Sequence, residues 1–192
     1  AHWIRAIRKI EESGAEVEAV CVDVGNRASM AELFTKLRED RTFPLRGIIH
    51  AAVQMSASSF ETLTEENLEA MMQGKAKGAL LLDEFSRGMT LDFFTMFSST
   101  TSLWGVAGLA HYAAANQVLD SLAHRRHSDN LPGVSINWGT WEEMRIADAK
   151  DKETFLQAGL NPIPVNRALS LLGRFLGYPY PQVCIADVNW LR

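Results

Sequence analysis

Four polar side chains on three predicted elements have types and spacings that suit chemistry at one site. Tyr112 and Asn116 lie four residues apart in a predicted helix, so they share one face, and the alanines between them leave room for a ligand. Ser99 lies just beyond the carboxyl end of an apolar predicted strand, where open α/β sheets bind ligands. Lys75 falls in register with the apolar positions of another predicted helix, which directs its ammonium toward the sheet.

Together these side chains suit the reduction of a carbonyl group by hydride transfer. That reaction needs a proton donor for the developing alkoxide, a second hydrogen bond to its oxygen, and a cation that makes a phenol more acidic. Tyr112, Ser99 and Lys75 could supply these three functions. A nearby ammonium lowers the pKa of a phenol from its ordinary value of about 10. Asn116 could orient the lysine or a relay water.

Each of these residues also has an ordinary structural explanation when it is taken alone. Lys75 could extend over an apolar surface and place its ammonium in solvent. A helical tyrosine is usually part of the core or its rim, and a helical asparagine is usually solvated. The chemical interpretation therefore depends on the combination of residues.

The elements that must position these residues alternate between strands and helices along the chain. A first helix ends at Gly14, and Ser29 with Glu32 forms a capping box before the next one. The predicted strands are Val17–Val22, Gly47–Ala52, Asp92–Ser98, Val134–Trp138 and Gln182–Val188, and the later predicted helices are Glu65–Arg87, Ala110–His127 and Asn166–Leu176. This alternation predicts an α/β fold with a doubly wound parallel sheet.

Composition indicates an ordinary globular domain and excludes several classes of protein. The 192 residues are 47% hydrophobic and 22% charged, which excludes disordered, collagenous and disulfide-stapled chains. A net charge of −4 gives no electrostatic basis for binding nucleic acid or an anionic membrane. No apolar stretch approaches the roughly 20 residues that a transmembrane helix needs. We therefore expect neither nucleic acid nor a membrane as a partner.

The cysteines and histidines give two further expectations. Cys21 and Cys184 each lie in a short apolar run, which predicts buried thiols in a reducing compartment and hence a cytoplasmic protein. His124 and His127 have helical i, i+3 spacing, but the two arginines between them disfavour a bound cation. We expect no metal site and interpret this run as a basic helix end that complements the helix macrodipole.

Nearly the whole chain resembles the catalytic part of a ketoreductase domain of a modular type I polyketide synthase. That family is a branch of the Rossmann-like short-chain dehydrogenase/reductase superfamily and also occurs in animal-type fatty acid synthases. The resemblance rests on four runs in the family's order and spacing: Phe97-Ser-Ser, His111 to Asp120, Trp138-Gly139 and Ala186 to Trp190. In the family, a serine stands 13 residues and a lysine 37 residues before the proton-donating tyrosine, which identifies Ser99, Lys75 and Tyr112.

The resemblance implies a substrate, a cofactor and positions that bind the cofactor. The implied reaction is NADPH-dependent reduction of a β-ketoacyl thioester, held on the phosphopantetheine of an acyl carrier protein, to the β-hydroxyacyl thioester. Asp23 and Val24 resemble the positions that hold the adenine. The implied cofactor contacts are Asp23, Val24, His50, Ala51, Ala52, Lys75, Tyr112 and Gly139. Where the family usually has glycine after this strand, the chain has Val53, which could distort that edge of the cofactor site.

The resemblance and the charge pattern each give an expectation about the substrate side of the site. Trp104 lies eight residues before Tyr112, and Met55-Ser56-Ala57 replaces the family's Leu-Asp-Asp motif, which together resemble the A-type subclass that forms an L-configured hydroxyl. Trp141 is expected near the substrate.

Residues 141–164 form a charged stretch after a strand, which predicts a lid over the ligand, with an ordinary surface insertion as the alternative.

The chain also departs from the family near its beginning. The first strands are missing, together with the Gly-rich turn that binds pyrophosphate and the arginine that would meet the 2′-phosphate. We therefore interpret residues 1–192 as a catalytic ketoreductase domain that is incomplete at its N-terminus. Its expected partners include the remaining N-terminal part and neighbouring synthase domains. The alternatives are a non-catalytic structural or docking segment of the same synthase, and a dehydrogenase that acts on a free small molecule.

Overall fold

A four-stranded parallel sheet with helices on both faces organises the molecule. The computed structural model describes residues 2–54, 56–143, 153, 155–157 and 159–191. The strands in chain order are β1 (Gly47–His50), β2 (Phe93–Ser99), β3 (Val134–Trp138), β4 (Leu160–Asn161), β5 (Gln182–Ile185) and β6 (Asp187–Val188). The helices are α1 (His2–Glu11), α2 (Arg27–Glu39), α3 (Glu65–Met72), α4 (Gly78–Ser86), α5 (Thr101–Trp104), α6 (Ala110–Ser128) and α7 (Val165–Phe175).

The central sheet has the order β1-β2-β3-β5, and all its neighbours are parallel. Its apolar side chains alternate between two cores, because successive residues of a strand point to opposite faces. Phe94 and Met96 are buried with α2, α4 and α6 on one face, and Ile136 is buried with α7 on the other. The predicted α/β fold is confirmed. The register pairs Ser99 with Trp138, so the carboxyl ends of β2 and β3 lie side by side.

The predicted long helix Glu65–Arg87 is wrong in its middle. The structure has α3, a π-helical segment at Gln73–Lys77, and then α4. His50 Nε2 lies 2.8 Å from the carbonyl oxygen of Lys75, so a side chain of β1 bonds to the helix backbone inside this segment. A Cβ on Gly78 would lie 2.9 Å from Cγ2 of Val24, so the close packing beneath the segment requires glycine. The irregularity centres on Lys75.

The predicted strand Val17–Val22 is also wrong. These residues have no regular secondary structure, and Val20 is 53% exposed. Alternating apolar residues favour a strand, but a strand forms only where a neighbour pairs with its backbone groups. No strand of the described residues pairs with this segment.

The two cysteines are exposed rather than buried, which corrects a further prediction. Cys21 lies in the unpaired segment just described, and Cys184 lies on β5, whose described neighbour in the sheet is β3 alone. An edge strand leaves more of its surface open than a central strand does. The apolar runs that flank the cysteines therefore do not bury their thiols.

Two smaller expectations changed at the ends of elements. The side chain of Asn26, rather than Ser29, caps α2, because its oxygen accepts a hydrogen bond from the backbone nitrogen of Ser29 at 3.1 Å. The predicted strand Gln182–Val188 divides into β5 and β6, and β6 pairs antiparallel with β4 in a separate two-stranded sheet.

Candidate active site

A cavity of about 280 Å³ lies at the carboxyl ends of β2 and β3. Its wall includes Lys75, Ser99 and Tyr112, which come from the π-helical segment, β2 and α6. The sequence separates these three residues, and the parallel sheet brings them to one edge. Other lining residues named in the sequence interpretation are Ala51, Val53, Gly139 and Trp141. An apolar wall with a few polar groups is typical of a small-molecule site.

Ser99 is held by a short turn at the end of β2. Its hydroxyl donates a hydrogen bond to Oγ1 of Thr101 at 3.1 Å and accepts one from the backbone nitrogen of Thr101 at the same distance. This local pattern fixes the side chain of Ser99 at the cavity wall.

Lys75 is buried, which excludes the alternative that its ammonium reaches solvent. The residue is 3% exposed, and its Nζ donates a hydrogen bond to the carbonyl oxygen of Phe97 at 2.7 Å. Burial lowers the pKa of Lys75 to about 8, and the carboxylate of Asp120 opposes that shift. The lysine is therefore mainly charged at pH 7.

Tyr112 stands beside this ammonium, but its pKa moves opposite to our expectation. The Nζ of Lys75 lies 5.4 Å from the centroid of the Tyr112 ring. Burial raises the pKa of Tyr112 above its ordinary value, and the side chains of Asn116 and Ser99 act in the opposite direction. Desolvation therefore outweighs the neighbouring groups that favour the phenolate, and the phenol stays protonated at neutral pH.

Asn116 lies directly behind Tyr112, one turn along α6. Its Nδ2 donates a hydrogen bond to the carbonyl oxygen of Tyr112 at 2.8 Å. Its Oδ1 is buried and accepts no hydrogen bond from the residues that the structure describes. Because an unsatisfied buried acceptor is costly, this oxygen suits a water or an ammonium, as the sequence interpretation requires.

His50 holds the backbone of Lys75 rather than lining the cavity. Burial is the main cause that lowers the pKa of His50 to about 4, so the ring is neutral at pH 7. A neutral ring whose Nε2 carries the proton donates to the carbonyl oxygen of Lys75, which fixes the tautomer. His50 thus ties β1 to the segment that presents Lys75.

The other positions expected to bind the cofactor are only partly brought together. Ala51 and Gly139 line the cavity, and Ala52 follows Ala51 at the end of β1. Asp23 accepts a hydrogen bond from the backbone nitrogen of Gly25 at 2.9 Å, in a turn before α2. The structure places Asp23 and Val24 outside the cavity wall.

Two buried polar atoms indicate whether the residues of the cavity could bind part of a dinucleotide cofactor. Nε1 of Trp138 and Oγ1 of Thr140 have no hydrogen-bond partner among the described residues, and both residues line the cavity. Together with the ammonium of Lys75, they offer donors that a carboxamide and a ribose hydroxyl could use. The residues present therefore fit the nicotinamide-bearing end of such a cofactor, while the printed sequence contains no Gly-x-Gly-x-x-Gly run for the pyrophosphate.

The two tryptophans expected near the substrate occupy different environments. Trp141 lines the cavity and packs edge-on against Trp138, with ring centroids 4.9 Å apart. Trp104 ends α5, is 48% exposed and lies outside the cavity wall. Its assignment to stereocontrol stays a prediction.

Part of the predicted lid at residues 141–164, namely 144–152, 154 and 158, lies outside the described residues. Backbone pairing holds the described ends of this segment, because Trp141 forms a parallel bridge with Ile163 and β4 pairs with β6. Phe155 and Leu160 line the cavity and pack with Leu109.

The sequence interpretation missed one buried charge behind the site. Asp120 follows Tyr112 and Asn116 at i+8 and i+4, so the helical period that grouped the first two residues also includes the third.

Among the described residues, no group of three or more His, Cys, Asp or Glu side chains could hold a metal ion.

Comparisons with known proteins agree on one family. The family model described as "KR domain" matches residues 2–143. A component of the pikromycin polyketide synthase from Streptomyces venezuelae, PikAIII, is 30% identical over 96% of this chain. The ketoreductase from the first module of phoslactomycin biosynthesis in Streptomyces sp. HK803 superposes with a TM-score of 0.92 at 36% identity, over 98% of this chain. The first ketoreductase of the tylosin polyketide synthase gives 0.89 at 32%, also over 98%.

The chain matches only part of each of these proteins. It spans 12% of the pikromycin synthase component, and 44% and 41% of the phoslactomycin and tylosin chains. No described helix combines the length and the apolar character that crossing a membrane requires.

Proposed function

The chain belongs to the ketoreductase domain family of modular type I polyketide synthases, and from that premise we propose that it reduces a β-ketoacyl thioester to the β-hydroxyacyl thioester. The supporting observation is the convergence of Lys75, Ser99 and Tyr112 on one cavity. We further propose NADPH as the reductant and an acyl carrier protein as the bearer of the substrate.

In this reaction Ser99 and Tyr112 bind the ketone oxygen. Both hydroxyls lie at the cavity wall, and the hydroxyl of Ser99 turns from Thr101 toward the substrate. Tyr112 then donates the proton on its Oη to the developing alkoxide, and its raised pKa keeps that proton in place beforehand. The ammonium of Lys75 stabilises the phenolate that remains.

NADPH, when bound, supplies the hydride to the carbonyl carbon. Lys75, Ala51 and Gly139 would hold its nicotinamide end, with Trp138 and Thr140 offering the unpartnered donors. Asp23 and Val24 would contact the adenine, as the resemblance implies. The proposal assigns no contact to the phosphates, because the sequence contains no Gly-x-Gly-x-x-Gly run.

We propose the A-type outcome, an L-configured hydroxyl. The support is the position of Trp104 relative to Tyr112 and the absence of the Leu-Asp-Asp motif. Chromatography on a chiral phase would identify the product, and a D-configured hydroxyl would refute the assignment.

NADPH oxidation with matched substrates tests the proposal. The chain is assayed alone and fused behind the dinucleotide-binding strands of the phoslactomycin ketoreductase. One β-ketoacyl group is offered on an acyl carrier protein, as a pantetheine thioester and as the free acid. We expect the fused protein to oxidise NADPH with the carrier-bound substrate most efficiently. A preference for the free acid would instead favour a dehydrogenase of small molecules.

A structural or docking segment is the second candidate, and the surface near the beginning of the chain favours it. The described residues leave one edge of β1 without a paired strand, and Ile4 and Ile10 on α1 are exposed. Exposed apolar surface of this kind often marks a contact with another protein segment. A correctly folded fused protein that binds no NADPH and oxidises none would favour this candidate.

A further inference from the structure

A buried carboxylate that the proposed reaction does not use lies behind the cavity. Asp120 is 1% exposed, and it shares the face of α6 that carries Tyr112 and Asn116. Its described hydrogen-bond partners are neutral side chains. Burying a carboxylate costs free energy unless it is well hydrogen-bonded, so such a group needs an explanation.

Three neighbouring side chains surround this carboxylate. Oδ1 accepts from Oγ of Ser135 at 2.5 Å, and Oδ2 accepts from Oγ of Ser102 at 2.7 Å. Nδ2 of Asn137 lies 3.1 Å from Oδ1 and 2.9 Å from Oδ2. Ser135 and Asn137 belong to β3 and Ser102 belongs to α5, so Asp120 joins α6 to two other elements.

The same donors reach the carboxyl end of β2. Nδ2 of Asn137 lies 3.0 Å from Oγ of Ser98 and 3.3 Å from the carbonyl oxygen of Ser99. Oγ of Ser102 lies 2.8 Å from that same carbonyl oxygen. Nδ2 of Asn137 carries two protons, so it can donate to the carboxylate and to this end of β2 together. The single hydroxyl proton of Ser102 instead reaches either the carboxylate or the carbonyl oxygen of Ser99. The link from the carboxylate to the peptide that carries Ser99 therefore runs mainly through Asn137.

This end of β2 also positions Lys75, because the carbonyl oxygen of Phe97 accepts the hydrogen bond from Nζ. Asp120 is the carboxylate whose charge raises the pKa of Lys75 against the effect of burial. Among the described residues, the other titratable groups that face Lys75 are His50 from β1 and Tyr112 from α6, and Glu143 lines the same cavity.

We propose that Asp120 is a positioning residue: through Asn137, and with the Ser102 hydroxyl bonded to the carboxylate or to the carbonyl oxygen of Ser99, it holds the carboxyl end of β2, and so places Ser99 and Lys75 opposite Tyr112. This inference rests on the proposed carbonyl reduction. Asp120 itself touches neither substrate nor cofactor in this role.

A titration of Lys75 tests the inference without any turnover. The ¹³Cε signals of lysine are followed against pH in the wild type and in Asp120→Asn, with Lys75→Gln identifying the signal. We expect Lys75 to lose its proton at a lower pH in Asp120→Asn, because the amide no longer stabilises the ammonium. The matched control is Asp83→Asn, another buried carboxylate, which should leave the Lys75 titration unchanged. An unchanged titration in Asp120→Asn would overturn the inference even if the reductase activity is real.

Ser102→Ala is a milder variant that keeps the charge. Ser102 is only partly buried, so this variant should fold even where Asp120→Asn does not. We expect kcat in the fused protein to fall about tenfold at unchanged KM, since small displacements of reacting groups are costly. Ser102→Thr, which retains the hydroxyl, should restore it. A wild-type kcat in Ser102→Ala would contradict the positioning role, while absent activity in the wild type would instead contradict the proposed function.

Discussion

Helix α6 runs between two buried polar clusters whose charges are compensated differently. Near its C-terminal end, the guanidinium of Arg126 lies 2.5 Å from Asp83 and 4.0 Å from the centroid of the Phe94 ring. In its N-terminal half, Tyr112 stands beside Lys75, whose ammonium has a carbonyl oxygen as its described acceptor. Protein partners thus neutralise the first cluster, while the second keeps a buried cation without a directly bonded carboxylate.

This difference separates a structural end of the sheet from the end where we propose that the chemistry takes place. Arg126 also donates to the carbonyl oxygen of Pro132, just before β3, so the neutralised cluster lies at the amino ends of the strands. The run forms the basic C-terminal turn of α6, as predicted, and Arg126 within it is 2% exposed and pairs with Asp83. At the opposite end, burial shifts the pKa values of Lys75 and Tyr112, and polar atoms of Asn116, Trp138 and Thr140 have no partner among the described residues, a combination typical of a reactive site.

The second cluster, formed by Tyr112 and Lys75, is called the reactive cluster below. Removal of the Tyr112 hydroxyl should have the largest effect on it. We expect Tyr112→Phe to lower turnover in the fused protein by about a thousandfold, because the proton donor is lost. The matched control is Tyr178→Phe, which removes a hydroxyl from a tyrosine that packs on Phe175, away from the cavity. Undiminished turnover in Tyr112→Phe would refute the assigned proton donor.

Loss of Arg126 should have the largest effect on the neutralised cluster. Arg126→Met retains much of the packing but leaves Asp83 buried with less compensation, so we expect a loss of about 3 kcal/mol in the free energy of unfolding. Arg125→Met removes a more exposed guanidinium from the same carboxylate and should cost less than about 1 kcal/mol. Urea denaturation measures both. Equal losses would show that burial does not distinguish the two arginines.

Acid should weaken the fold through His50, which supports the reactive cluster. The folded pKa of His50 is about 4, below its ordinary value of 6.5, so the unfolded chain binds the proton more tightly. This contribution is complete above pH 6.5 and is lost as the pH falls toward 4. At pH 4.5 we expect a loss of about 2 kcal/mol.

His50→Gln isolates this contribution, because the amide retains an N–H donor for the carbonyl oxygen of Lys75 but does not titrate in this range. Urea midpoints of the variant should depend less on pH between 6.5 and 4 than those of the wild type. An identical pH dependence would show that His50 does not titrate with unfolding.

Much of the fold could be predicted from the sequence, because long apolar runs and helical periodicity are local signals. The period of α6 correctly predicted the helix that carries Tyr112, and the buried run of β2 predicted Ser99 just beyond the strand whose last residue it is. The π-helical segment around Lys75 could not be predicted, since its backbone contact comes from His50 on another element. The predicted strand Val17–Val22 is wrong for a related reason, because a strand needs a neighbouring strand to pair with its backbone groups.

The site was predicted better in position than in electrostatics. The sequence spacing predicted that Lys75, Ser99 and Tyr112 share one site, and the structure places all three in one cavity wall. Their functional roles stay proposals. We expected Lys75 to lower the pKa of Tyr112, and burial raises it instead, because the degree of desolvation depends on packing that spacing does not show. The position of Asp120, eight residues after Tyr112, places it on the same helical face and could have indicated a buried carboxylate behind the site.

The smallest effect should come from the solvent-exposed rim of the neutralised cluster. Arg87 donates to Asp129 at 2.9 Å, and both side chains are over 40% exposed. An exposed ion pair gains little, because water and salt screen it and two side chains lose freedom, so we expect Asp129→Asn to change the free energy of unfolding by at most about 0.5 kcal/mol. Urea denaturation at low and high salt measures it. A loss as large as that of Arg126→Met would mean that the rim, rather than the buried pair, stabilises this end of the sheet.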